Sequence, residues 1–131
     1  MEFDRMSANS PARPRYSPAR RVPLGASGDL LFLSGVVCHD EDARDNIEIQ
    51  TRRIFARIAQ VLEEHGAALT SIIKTTSFLV DLADYDCFNR VRVETFKDCR
   101  EPPASTAVGA GSLLGQGTRL EVEVVALVRP Y

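Results

Sequence analysis

The stretch RLEVEVV, residues 119–125, puts Arg119, Glu121 and Glu123 on one face of a strand and Leu120, Val122 and Val124 on the other. A general base at Glu121 would need to reach one water at hydrogen-bond distance. The competing reading is a glutamate bathed in solvent or lining a channel between subunits. Arg119 shares that face and can hold an anion; it can equally pair with Glu121, with Glu123 or with a neighbouring subunit. Cys38, His39 and Asp40 are consecutive and carry ligand-type atoms. Three adjacent residues on a short loop rarely close one tetrahedral site, and no second cluster completes it, so a solvated loop and no metal are expected. A Cys–His nucleophilic pair is disfavoured on similar grounds, because the only other histidine, His65, falls at a helix end. Tyr16 can simply pack on a neighbour, Asn89 can be an exposed helix residue, and Cys87 and Cys99 read as ordinary helix and loop positions.

The elements that must position these residues follow from periodicity. Residues 18–25 and 29–37 read as two strands joined by the turn ASGD, and the run Leu30–Leu33 suits a strand covered on both faces. An acidic loop, residues 38–46, leads into a helix over 47–65, with Ile47, Ile54, Phe55, Ile58, Val61 and Leu62 as its apolar stripe. Asn46 or Asp45 can cap its start, and Gly66 can end it in the left-handed conformation. Residues 71–81 form a strand rich in β-branched side chains, and a second helix spans 84–98 with Asp84 or Asp86 as cap. Its inner face carries Tyr85, Phe88, Val91, Thr95 and Phe96, and Pro102–Pro103 stop it. Strands over 104–111 and 118–129 close the chain. The order is β-β-α-β-α-β-β, an α+β domain of two layers in which both helices cover one face of a mixed sheet. Strand–helix–strand connection predicts the strands at 29–37 and 71–80 as parallel neighbours. The sheet's second face, apolar at many positions, is expected to pack on other subunits.

Length and composition agree with that architecture. The 131 residues suit a single domain, here 15–131, behind a poorly ordered tail at 1–14 rich in Ser, Pro, Arg and Asn. That tail has no apolar core of a secretory signal, and Met6 is an alternative first residue. A net charge of −2 gives no electrostatic attraction to nucleic acid or to a membrane surface. No apolar run approaches the ~20 residues of a spanning helix. Three cysteines without a CxxC spacing point to a reduced, cytoplasmic protein.

Several segments line up in order with one family. RYSPARRV precedes LLFLSG; then come IEIQTRRIFARIAQVLEEHGAALTSIIKTTSFLVDLADYDCFNRV and PPASTAVGAGSLLGQGTRLEVEVVAL. Over residues 14–129 the chain resembles the Rid/YjgF family of reactive-intermediate deaminases, formerly called endoribonuclease L-PSP. The resemblance implies a chorismate mutase-like fold, a homotrimer with clefts between subunits, and hydrolysis of enamines or imines to a carbonyl compound and ammonia. It implies no metal and no organic cofactor. By residue, it makes Tyr16 a cleft-lining tyrosine and Ser34–Gly35 a segment whose backbone faces the ligand. Asn89 becomes a cleft residue of the second helix, and Glu121 the holder or activator of the attacking water, aided by backbone near Gly35 and Thr106.

One position departs from that pattern. The best-characterised members of the family read PARS or PTRT where this chain reads Pro103-Ala104-Ser105-Thr106, and their arginine grips the substrate carboxylate. Ser105 cannot neutralise a carboxylate. Small 2-imino acids are therefore expected to be poor substrates, an arginine at 105 to improve them, and Arg119 to be one source of a replacement cation. An enamine of aromatic catabolism, of the aminomuconate kind, is one candidate substrate; a non-catalytic trimer that binds a metabolite or a peptide is the alternative. Ribonuclease activity, also attributed to the family, finds no basic patch here.

Overall fold

The structure, a computed structural model, describes residues 15–130; the expected tail at 1–14 lies outside the described residues. Five strands and two α-helices follow in the order β1 (Ala19–Pro23), β2 (Asp29–Leu33), α1 (Ile47–Glu64), β3 (Ile72–Leu79), α2 (Tyr85–Thr95), β4 (Ala104–Gly109) and β5 (Leu120–Val128). The strands form one sheet in the order β1-β2-β5-β3-β4. Pairing is antiparallel except between β3 and β4, so this is the mixed two-layer α+β domain that the sequence predicts.

The expected pairing of the strands at 29–37 and 71–80 is corrected. β2 and β3 do run in the same direction, but β5 lies between them and is antiparallel to both. The crossover through α1 skips one position in the sheet, and the last strand fills it. β5 suits a central position because Leu120, Val122, Val124, Ala126 and Val128 are all buried on its helix-facing side. β2 is also shorter than expected. After Leu33 the chain leaves β1, and contact with β5 resumes only as an isolated bridge between Val36 and Val122.

α1 begins where Asn46 Oδ1 accepts from the backbone N–H of Ile49 at 3.0 Å. It ends with Gly66 at φ 75°. There Gly66 N donates to Glu63 O and Ala67 N to Leu62 O, the paired bonds of a Schellman motif. Ile54, Phe55, Ile58, Val61 and Leu62 enter the core, as the stripe predicts. Phe55 joins the helices by stacking on Phe88 and meeting Phe96 edge-on, with ring centroids 6.4 and 5.4 Å apart.

The expected cap of the second helix is corrected as well. Asp84 occupies the cap position but caps nothing with its side chain. Its carboxylate turns to Arg119 instead. Asp81 Oδ1, one turn earlier, accepts from Ala83 N and caps the start of the preceding 3₁₀ turn, Leu82–Asp84.

Both helices cover the same side of the sheet. On the other side Phe32, Val22 and Val108 are 43%, 41% and 39% exposed in the single chain, beside Glu121, Glu123, Lys74 and Thr106. The continuous run Leu30–Leu33 thus has one covered half, Leu31 and Leu33, and one open half.

Candidate active site

Glu121 sits on the open side of β5, opposite Phe78 of β3. Two backbone bonds between Val36 and Val122, 2.8 and 3.1 Å, hold the chain after β2 against β5. That contact lays Gly35 over the Glu121 carboxylate, so closely that a Cβ at 35 would collide with it. Ser34 is tied in turn to the segment before β1: its N–H donates to Pro18 O at 2.9 Å and its hydroxyl to Ser17 O at 2.6 Å. The strand entry that carries Tyr16, which is 54% exposed, is thereby fixed beside the Ser34–Gly35 turn.

Burial pushes the Glu121 carboxyl above the ordinary carboxylate range; Glu123 adds to the rise, and His39 opposes it. His39 stands within electrostatic reach on the loop after Val36. Its Nδ1 lies 3.4 Å from Thr118 Oγ1, and its Nε2 is buried with no hydrogen-bond partner among the described residues. A carboxyl raised by burial is a place where a proton can be taken up and returned. Cys38 is 6% exposed, and burial pushes its thiol up, away from thiolate chemistry.

Ser105 and Asn89 come together elsewhere. Ser105 pairs with Thr75, whose side chain is buried under the helices, so Ser105 faces the helix side of the sheet. Arg92 of α2 meets it there: Nη1 donates to Ser105 Oγ at 2.8 Å. Arg92 Nη2 donates to Tyr85 OH at 2.8 Å and to Asn89 Oδ1 at 2.7 Å, and Nε donates to Asn89 Oδ1 at 3.2 Å. Its guanidinium also lies over the ring of Phe88, 4.9 Å from the centroid. The serine where an arginine was expected therefore already touches one, delivered by the helix. Thr106, the next residue, faces the open side and accepts from Lys74 Nζ at 2.6 Å.

Arg119 has another role. Its Nε donates to Asp84 Oδ2 at 2.7 Å, and Asp45 and Asp81 each lie 3.8 Å from its Nη atoms. The cation beside Ser105 is Arg92, and Arg119 is an ion-paired residue at the start of β5. Its partners are these aspartates rather than Glu121 or Glu123. Buried Gln50 completes this junction. Its Nε2 donates to Ala43 O and Gly117 O at 2.9 and 2.8 Å, and its Oε1 accepts from Arg119 N at 2.8 Å.

The predicted residues thus form two groups on opposite sides of one sheet. Tyr16, Ser34, Gly35, Thr106 and Glu121 belong to one, and Asn89 and Ser105 to the other. Arg92 escaped the sequence reading although a signal existed: it lies three residues after Asn89 and seven after Tyr85, on the same helix face.

Comparison with known proteins follows the same lines. The family model described as Endoribonuclease L-PSP matches residues 7–128. A RutC family protein of Pyrococcus abyssi is 34% identical over 115 residues, covering 85% of this chain and 84% of that protein. Among solved structures, a YjgF-family protein of Neisseria meningitidis superposes with a TM-score of 0.75 at 30% identity, covering 90% of this chain and 91% of that one. A Rid-family protein of unknown function from Yersinia pestis gives a TM-score of 0.73 at 28% identity, covering 92% and 94%.

Proposed function

The chain belongs to the YjgF/Rid family, and on that premise we propose that it is a hydrolytic deaminase of a small enamine or imine, working in clefts between the subunits of a homotrimer. The observation that carries this reading is the seating of Glu121: a carboxyl half out of water, raised, and lying against the Gly35 turn. In this scheme the enamine takes a proton from solvent at carbon and becomes the iminium. Water adds to the iminium carbon as Glu121 takes one of its protons and passes it to nitrogen; the carbinolamine then collapses to a carbonyl compound and ammonia as its hydroxyl gives its remaining proton back to solvent. Backbone donors near Gly35 and Thr106 orient the water and the developing charge.

The uncovered apolar side of the sheet supports assembly, since exposed residues such as Phe32 and Val22 are the kind that partner subunits cover. In such an assembly the two groups on opposite sides of the sheet can serve one ligand, each cleft taking Glu121 from one chain and the Ser105 side from its neighbour. The three free cysteines suit a reduced compartment, the cytoplasm. Among the described residues no helix is long and apolar enough to cross a membrane.

The test is ammonia release from a panel of enamines generated in situ, by wild type and by Glu121→Gln. Turnover that the variant loses supports the reading. No release above buffer with any substrate overturns it in favour of a trimeric binding module, a second reading favoured by the Ser105–Arg92 cluster, which needs no chemistry to hold an anion.

A further inference from the structure

Arg21, Arg52, Arg53 and Arg119 all take carboxylate partners. Arg92 takes none among the described residues. Its contacts are a hydroxyl, a phenol, an amide oxygen and an aromatic face, all neutral. A guanidinium held in one orientation with its charge unmatched is prepared for an anion.

It also borders a space for one. A cleft of 420 Å³ opens between α2 and the start of β4, lined by Arg92, Lys97 and Ser105 on its polar side and by Phe96, Pro102 and Pro103 on its apolar side. The geometry points to an organic carboxylate with an apolar body as the ligand of this cleft, bound at its charged end by Arg92 and Ser105 together.

Donor counting gives the arrangement. A guanidinium has five N–H groups. Asn89 and Tyr85 occupy the Nε proton and both Nη2 protons, and Ser105 Oγ occupies one Nη1 proton. One Nη1 proton remains. Ser105 Oγ accepts from Arg92, so its own hydroxyl proton is available as well. These two donors stand on atoms 2.8 Å apart, a spacing that serves the two oxygens of one carboxylate. Serine at 105 is then half of a composite fork rather than a lost one, and an arginine placed there would face Arg92 at close range as a like charge. Lys97 adds a second positive charge, and the apolar wall favours a ligand larger than a two- or three-carbon acid.

Carboxylate binding stands on this geometry alone; treating that carboxylate as the end of a hydrolysed substrate rests on the function proposed above. The experiment titrates the full chain with benzoate, with neutral benzamide and with phenyl phosphate, followed by NMR shifts of α2 and β4. Benzoate is expected to bind about 10-fold or more tightly than benzamide, and Arg92→Met to erase that preference. Ser105→Ala is expected to weaken benzoate severalfold while leaving benzamide unchanged. Should Arg92→Met unfold, Arg92→Lys, which keeps the charge without the planar fork, is expected to bind benzoate more weakly than wild type. Equal binding of benzoate and benzamide by wild type, or benzoate binding indifferent to Arg92, overturns the proposal, as does a clear preference for phenyl phosphate. Carboxylate binding without ammonia release from any enamine sinks the deaminase reading and leaves this site standing; ammonia release by a protein that binds benzoate no better than benzamide does the reverse.

Discussion

Gly35 lies so near Glu121 that a methyl group on it would sit 2.8 Å from the Glu121 Cδ and 2.9 Å from its Cγ. The obstacle is the far end of a flexible side chain, so the fold can absorb an alanine by swinging the carboxylate away. Gly35→Ala is expected to cost about 1 kcal/mol or less, the low end of overpacking. Any hydrolytic activity is expected to fall by ~10²-fold or more, because the displaced carboxylate no longer meets its water. Thermal unfolding and ammonia release measured on the same sample decide this; an alanine variant with full turnover contradicts the seating of Glu121.

The raised carboxyl of Glu121 fixes a sign for pH dependence. A folded-state pKa above the unfolded one means the folded protein holds that proton more tightly. The associated stability is complete below the ordinary carboxylate range and is lost as pH rises through the folded value. Glutamine stays neutral throughout, so Glu121→Gln should match wild type near pH 4 and exceed it in stability toward neutral pH. Urea unfolding across that range reads the difference; a variant that loses stability relative to wild type on going from acid to neutral pH would show that the carboxylate is favoured by its surroundings.

Gln50 uses both amide protons and its oxygen to join the loop before α1, the turn at Gly117 and the start of β5. Leucine has similar bulk but leaves those backbone groups buried and unpaired. Gln50→Leu is expected to destabilise the chain by about 2–4 kcal/mol, or roughly 10 °C in Tm. A melting temperature unchanged within error would mean that water takes over the lost bonds.

Phe32 is exposed on the side of the sheet that no helix covers. Phe32→Glu puts a charge where subunits are proposed to meet and removes nothing from the chain's own core. The expected product is a folded monomer by light scattering, with the wild type a trimer. A trimeric variant would place the subunit contact elsewhere.

Much of this fold is legible in sequence because it is local. The α1 stripe, the Asn46 cap, the Gly66 stop and the alternation along β5 each depend on a few consecutive residues, and all stand where the pattern predicts. The insertion of β5 between β2 and β3 is not local: it depends on pairing across most of the chain, which periodicity does not encode. Asp84 was legible as a helix-cap residue, yet Arg119, thirty-five positions away, wins its carboxylate. Arg92 was missed for a related reason, although its spacing from Tyr85 and Asn89 put the three on one helix face. A lone arginine on a helix reads as solvated, and only the meeting of Tyr85, Asn89 and Ser105 across two elements turns it inward.

The division of the candidate residues between the two sides of the sheet has a genetic consequence. If each cleft draws Glu121 from one chain and Arg92 from the next, damage to either residue is complementable in trans. Chains carrying Glu121→Gln and chains carrying Arg92→Met are each expected to be inactive alone. Unfolded together in equal amounts and reassembled at random, about a quarter of the clefts in a closed ring would pair an intact Glu121 with an intact Arg92. Activity reborn from two dead parents, at roughly that fraction of wild type, would mark the assembly rather than the single polypeptide as the working unit; a mixture that stays silent would return both residues to one chain's own site.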